Sequence, residues 1–440
     1  MARRRASSRA TILPVDSTAL FTDHYELTML QAALRSGTAE RRAVFELFPR
    51  RLAGGRRYGV VAGVGRALDA LEAFRFGPEQ LAVLEDVVDG PTLEWLASYE
   101  FHGDVWGYAE GEAFFPQSPL LMVEASFAEA VVLETVLLSI YNHDSAIATA
   151  ASRMTQAAGD RPCIEMGSRR THEEAAAAAA RAAYVAGFTA TSNLAARQRF
   201  GVPTTGTSAH AFTLLHDTEE QAFRAQVASL GTGTTLLVDT YDIAEAVRTA
   251  VEVAGPGLGA VRIDSGDLGM LAHDVRAQLD ELGAKDTRII VTSDLDEYAI
   301  AGLAVAPVDG YGVGTQLVTG SGHPTAGFVY KLVAREGASG ELEPVAKRSV
   351  AKTSIGGRKQ AHRRLNRRGR AEAEVIHIDG APEGGDTGRP LLVPLVKNGE
   401  TVGREPLDAA RDRHRASVEE LPLVAHSLLK GDPAIPTLFE

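Results

Sequence analysis

From Cys163 to Val313, short apolar runs are each followed by a small polar loop, and several are then followed by a stretch whose apolar positions recur at helical spacing. The runs end near Met166, Thr191, Thr205, Val238, Ile263, Val291 and Val313, which makes seven candidate strands. Amphipathic helices separate several of them. Ala244 to Val253 places Ala246, Val247, Ala250 and Val251 on one side, and Leu271 to Leu282 does the same with Leu271, Val275, Leu279 and Leu282. Strand and helix in alternation predict a parallel sheet with its polar residues gathered past the strand ends. An α/β barrel and an open doubly wound sheet both hold their sites there, and periodicity leaves both open.

The flanks read differently. Alternation over Ala43 to Phe48 and Phe101 to Glu110 predicts strands, and Gly63 to Phe74 and Pro78 to Leu96 predict helices, an α/β unit without evident catalytic chemistry. Thr22 or Asp23 is placed to cap a helix with Leu27, Leu30 and Leu34 on one face. Glu124 to Ala157 reads as one long packing helix through Phe127, Val131, Val132, Leu138 and Ile147. Strand-like pieces return at Phe328 to Ala334 and Pro344 to Arg348, followed by a basic tract, Gly357 to Arg364, and by an exposed Gly- and Pro-rich loop, Gly380 to Arg389. No repeat suggests a solenoid.

Composition narrows the class. A chain of 440 residues, 45% apolar and 23% charged, has enough core for two domains. No apolar run reaches the roughly 20 residues a membrane span needs. The opening MARRRASSRA lacks a following apolar segment and reads as a frayed tail rather than a secretory signal. The net charge of −12 argues against a nucleic-acid footprint, so any phosphate site has to be built locally. Cys163 is the only cysteine, which excludes intrachain disulfides and a cysteine zinc cluster and fits a reducing cytosol.

Chemistry concentrates in Gly187 to Phe212, where two short strands give way to small hydroxylated residues and the second empties into Gly206-Thr207-Ser208-Ala209-His210. A histidine there has little apolar bulk beside it and several donors around it. Earlier in the chain, Glu165-Met166-Gly167-Ser168-Arg169-Arg170 sets two arginines where a strand meets a loop, a pair suited to a phosphate or carboxylate. Asp239 and Asp242 bracket the end of another strand, and Arg262-Ile263-Asp264-Ser265-Gly266-Asp267 follows a third. Asp242 and Asp267 also suit helix starts. Thr292-Ser293-Asp294 and Gly312-Val313-Gly314-Thr315 complete the set, with small residues that let main-chain N–H groups approach an anion.

Taken in chain order, these segments resemble the phosphoribosyltransferases of NAD salvage, most closely the nicotinate phosphoribosyltransferase family. The resemblance implies an incomplete α/β barrel of about seven strands, residues 124–330, plus an α/β domain built from the N-terminal segment, 1–123, and a C-terminal segment, 331–440, that returns to it. It implies a cytoplasmic homodimer that joins nicotinate to 5-phosphoribosyl-1-pyrophosphate with Mg²⁺, and ATP that phosphorylates the histidine matching His210. Tyr25, in TDHYELTM, would stack on the pyridine ring in the partner's site. Met166 stands where relatives often carry an aromatic residue for the other side of that stack, and a methionine also packs on a ring.

By the same resemblance Arg262 faces the nicotinate carboxylate and Asp264 approaches the magnesium. Arg169, Thr207, Ser293, Asp294, Gly312 and Gly314 bind substrate, and Thr315 binds the 5-phosphate. Asp239 is expected to orient His210, since an acceptor on one ring nitrogen leaves the other free to attack a phosphoryl group. Nicotinamide-using relatives carry an aspartate where Ser192 stands, so Ser192 points to nicotinate. The alternatives are a nicotinamide- or quinolinate-using transferase, a phosphate-binding barrel lyase or isomerase with Lys331 or Lys347 as Schiff-base former, and a non-catalytic sensor of NAD precursors.

Overall fold

Six strands, Ala190–Thr191, Cys163–Glu165, Gly310–Val313, Arg288–Ser293, Ala260–Ile263 and Thr235–Leu237, form one parallel sheet in that order. The computed structural model describes residues 17–347, 354–380 and 388–440. The tail MARRRASSRA, Arg348 and most of the Gly380–Arg389 loop lie outside the described residues. The last strand in sequence pairs with the first, Tyr311 opposite Cys163, so the sheet curls into a parallel half-barrel. Val261, Ile263, Ile289, Val291, Tyr311 and Val313 are fully buried in it. Alternation along the strand sends Arg262 to the face opposite Val261 and Ile263.

Val202 to Thr205, expected as a seventh strand, contributes a single bridge, Thr204 to Thr191. Pro203 has no N–H to donate, and only its carbonyl takes part, accepting from Thr191 N–H at 2.9 Å. The two edge strands, Ala190–Thr191 and Thr235–Leu237, are consecutive strands of the sheet in chain order, so the segment linking them, which carries His210, hangs at the sheet's open edge.

The second sheet is antiparallel and mixes both ends of the chain. Arg42–Pro49 lies between Phe328–Glu336 and Leu121–Ser126, and Asp104–Tyr108 pairs with Leu392–Lys397. The long helix expected from Glu124 is a correction: Glu124 belongs to the strand Leu121–Ser126, a short helix covers Phe127–Val131, and the long helix is Glu134–Ala158. The cause is a capping box, in which Ser126 Oγ accepts from Glu129 N–H and the Glu129 carboxylate accepts from Ser126 N–H. Pro78 to Leu96 likewise divides into Pro78–Leu84 and Gly90–Ala97, because Asp89 caps the second piece through Thr92 N–H.

The long helix joins two hydrophobic cores. Val136, Leu137, Ile140 and Tyr141 pack in the core of the antiparallel sheet, and Ile147, Ala148, Ala151 and Met154 pack in the core of the parallel one. The basic tract becomes a strand, Lys359–Leu365, whose charges are used inside the protein. Lys359 pairs with buried Glu46, and fully buried Arg363 donates to Glu374 at 3.0 Å and Glu420 at 3.2 Å.

Glu26 is a buried carboxyl with a measurable consequence. It accepts from Thr22 Oγ at 2.6 Å and Thr135 N–H at 3.0 Å, yet burial pushes its pKa from 4.5 up to about 7. The folded state therefore holds this proton more tightly than the unfolded chain, and that stabilisation is complete below about pH 4.5 and lost as pH rises through 7. Glu26→Gln should remove this component, worth roughly 3 kcal/mol at the most for a shift of that size. Denaturant unfolding at pH 5 and pH 8 checks it, with the loss between the two smaller in the variant.

Candidate active site

Each chemical residue stands where a buried strand stops. Asp239 follows Thr235–Leu237, Asp264 follows Ala260–Ile263, Ser293 and Asp294 close Arg288–Ser293, and Gly314 and Thr315 follow Gly310–Val313. Met166 follows Cys163–Glu165, its N–H donating to Val313 O at 2.8 Å. These strand ends enclose a pocket of about 260 Å³. Its walls include Met166, Arg169, Arg262, Asp264, Ser293, Asp294, Gly312, Gly314 and Thr315, with Arg170 and Thr292 besides. A larger cavity of about 910 Å³ lies between Arg50–Gly55 and Gly322–Gly327 and shares none of these residues.

His210 is the first residue of the helix His210–Leu214. Its Nδ1 is 3.1 Å from Thr240 Oγ, and its Nε2 faces two carboxylates, Asp239 Oδ1 at 3.8 Å and Asp264 Oδ2 at 4.0 Å. Asp239 is fixed rather than free, because its Oδ2 accepts from Asp264 N–H at 2.9 Å and from Ser265 Oγ at 2.7 Å. Its other oxygen is buried without a partner and points toward the imidazole. Asp264 Oδ1 in turn accepts from Thr292 Oγ. Two carboxylates at one end of the ring favour the proton on Nε2 and leave Nδ1 with its lone pair toward Thr240.

Arg262 donates to Thr207 Oγ at 2.7 Å, while its Nε is buried without a partner. Burial lowers the pKa of this guanidinium; Asp264 and Asp239 oppose that, and Arg169 adds to it. Two cations that repel across a pocket are a receptor for an anion set between them. Glycine is required at 312, where a Cβ would lie 2.5 Å from Thr292 Cγ2 and 2.8 Å from Met166 Sδ. Thr315 Oγ donates to Asp294 at 3.2 Å.

Five expected residues stand outside the pocket walls: His210 and Asp239, which adjoin it through Asp264, and Thr207, Ser192 and Tyr25. Thr207 reaches it through Arg262, and Ser192 closes the neighbouring strand, its N–H on Glu165 O at 2.9 Å. Tyr25 is exposed on the helix His24–Ser36, with Glu134 and Glu26 beside its hydroxyl, and lines no wall of this chain's own pocket. Lys331 is paired with Glu134 at 3.3 Å in the antiparallel sheet, and Lys347 is exposed, so neither reaches the strand ends.

Sequence reasoning missed the hydroxyls of Thr240 and Ser265, which sit beside recognised aspartates and carry no signal of their own. It also missed Glu219, whose pKa rises to about 7 through burial and the nearby Glu245, Asp239 and Asp242; at a helix start after Thr218 it reads as an ordinary dipole acid.

A protein of Mycobacterium tuberculosis H37Rv, nicotinate phosphoribosyltransferase pncB1, is 56% identical to this chain over 431 residues, 96% of this chain and 95% of its own. The chain belongs to the nicotinate phosphoribosyltransferase family. The family model for the nicotinate phosphoribosyltransferase N-terminal domain matches residues 20–142. The Bacillus subtilis nicotinate phosphoribosyltransferase is 40% identical over 364 residues, 80% of this chain and 74% of its own. The crystal structure of human nicotinic acid phosphoribosyltransferase superposes with a TM-score of 0.81 at 25% identity, over 95% of this chain and 97% of that one. Family membership sets the transferase above the lyase, isomerase and sensor alternatives.

Proposed function

We propose that this enzyme of NAD salvage joins the ring nitrogen of nicotinate to C1 of 5-phosphoribosyl-1-pyrophosphate, releasing pyrophosphate, and that ATP drives the reaction by transient phosphorylation of His210. The observation that carries this reading is the convergence of His210, Asp239, Asp264, Arg262 and Thr315 on one set of strand ends. Arg262 and Arg169 hold the anionic groups, with Arg262 on the nicotinate carboxylate. Ser293, Gly312, Gly314 and Thr315 receive the 5-phosphate, and Asp294 aims the Thr315 hydroxyl. Met166 supports the pyridine ring from below, and Tyr25 of the partner subunit is assigned the opposite face, which makes the active unit a homodimer.

Charge develops on the departing pyrophosphate and on C1 as the bond breaks, and the site has to balance both. The donor set near His210 suits a hard divalent cation: Asp264 is half-exposed, and Asp239 offers a buried oxygen with no partner. No group of three His, Cys, Asp or Glu suited to a metal occurs among the described residues, so Mg²⁺ would take its other oxygens from substrate and water. Bound there, it would neutralise pyrophosphate. The carboxylates beside Nε2 favour the proton there, so Nδ1 is the nucleophile toward the γ-phosphate of ATP, and the phosphate added on the Thr240 side of the ring reorders the loop that carries it.

In this reading the half-barrel with Val202–Thr205 is the incomplete seven-stranded barrel of a catalytic domain at 124–330, and residues 1–123 and 331–440 form the other domain. The cytosol is the proposed compartment. His210→Ala tests the ATP role: the ratio of rates with and without ATP should fall to about one while slow transfer persists, because the groups that hold substrate remain. Full ATP stimulation in that variant would remove the phosphohistidine.

A further inference from the structure

Glu165 closes the strand Cys163–Glu165 directly beneath Met166 and is fully buried. Among the described residues no cation pairs with it. Its Oε1 accepts from Gly167 N–H, and its Oε2 is bonded to Thr191 Oγ. Thr191 Oγ accepts from Asn193 N–H at 2.9 Å, and Asn193 Nδ2 donates to Ser168 Oγ at 3.0 Å. The chain of bonds is thus a closed loop: it leaves the turn after one strand at Gly167, crosses to the turn after the neighbouring strand, and returns to the first turn at Ser168.

We propose that Glu165 is a positioning residue of the substrate pocket, whose buried carboxyl clamps the Gly167–Arg170 turn to the Ser192–Asn193 turn and so places Arg169 for the anionic substrate. The inference rests on the reading of the pocket given above. The first turn has little freedom of its own: a Cβ at Gly167 would lie 2.3 Å from Val318 Cγ1 and 3.0 Å from Gly314 O, so it is wedged against the strand end that carries Thr315. The carboxyl beneath it settles how far Arg169 leans over the pocket. Burial pushes the Glu165 pKa up, and the hydrogen bonds from Thr191 and Gly167 only partly oppose it. One carboxyl oxygen accepts from Gly167 N–H and the other from Thr191 Oγ, so a single buried group ties the two turns together.

Steady-state kinetics on the full-length chain with nicotinate and phosphoribosyl pyrophosphate test this, using Glu165→Ala, Glu165→Gln, Thr191→Val and, as a control on the pocket itself, Arg169→Ala. Glu165→Ala should raise the KM for nicotinate about 10-fold or more while kcat changes by less than about 3-fold, since a displaced binding group weakens capture more than chemistry. Glu165→Gln should restore near-native KM, because the amide oxygen still accepts from Gly167 N–H and the amide NH₂ still reaches Thr191 Oγ. If Glu165→Ala does not fold, Thr191→Val carries the test with an increase of about 3-fold or more. Unchanged KM in Glu165→Ala or, where that variant is lost, in Thr191→Val overturns the proposal, and so does Glu165→Gln as impaired as Glu165→Ala. An unchanged KM in Arg169→Ala would instead remove the pocket reading, and the clamp with it.

Discussion

Asp264→Asn should lower kcat by about 10²–10³-fold with little change in thermal stability. The amide keeps the shape of the carboxylate and can still accept from Thr292 Oγ, and the main-chain N–H at 264 still donates to Asp239 Oδ2. What is lost is one of the two negative charges facing His210 Nε2, at 3.8 Å and 4.0 Å. In the proposed reaction that charge would help hold a divalent cation that neutralises the departing pyrophosphate, a demand that grows toward the transition state, so the loss belongs in kcat. Removing one of two neighbouring carboxylates also relieves repulsion, so the melting temperature should hold or rise slightly. Kinetics beside a thermal melt check both, and a native kcat would exclude Asp264 from the chemistry.

Ser192→Asp should reduce the preference for nicotinate over nicotinamide by about two decades. A carboxylate about 5 Å from the nicotinate carboxylate, at an effective dielectric of about 20, repels it by roughly 3 kcal/mol. Neutral nicotinamide feels no such repulsion, so the change should fall on nicotinate alone. Ser192 is exposed at the end of a strand, where an added carboxylate meets water and does not disturb the core. Competition between the two substrates over the same enzyme reads the ratio directly. An unchanged ratio would mean that the pocket's selectivity is set elsewhere.

The sequence made the strand ends readable because an aspartate or a Gly-Thr pair after a fully apolar strand has no packing purpose. That placement made Asp239, Asp264, Asp294 and Thr315 candidates, the resemblance gave most of their roles, and the structure sets all four at one end of the curled sheet. Local competition hid other features. The capping box at Ser126 and Glu129 cut a run that periodicity reads as a single helix, and Pro203 reduced a strand to one bridge. Partners distant in the chain hid the rest. Lys359 finds Glu46 across 313 positions, so part of the basic tract is buried between distant segments of the chain. Glu165 had no signal at all, because a carboxyl that works through Gly167 N–H and Thr191 Oγ is indistinguishable in sequence from any other acid beside a strand.

The most direct measurement incubates the purified chain with nicotinate, 5-phosphoribosyl-1-pyrophosphate and Mg²⁺, with and without ATP, and follows mononucleotide, pyrophosphate and the mass of the His210 peptide together. Converging strand ends that serve one transfer predict equal amounts of nicotinate mononucleotide and pyrophosphate, faster formation with ATP, and a phosphate on His210 that turns over. Nicotinate bound with no pyrophosphate released, or turnover with an unmodified His210 and no response to ATP, would contradict the account.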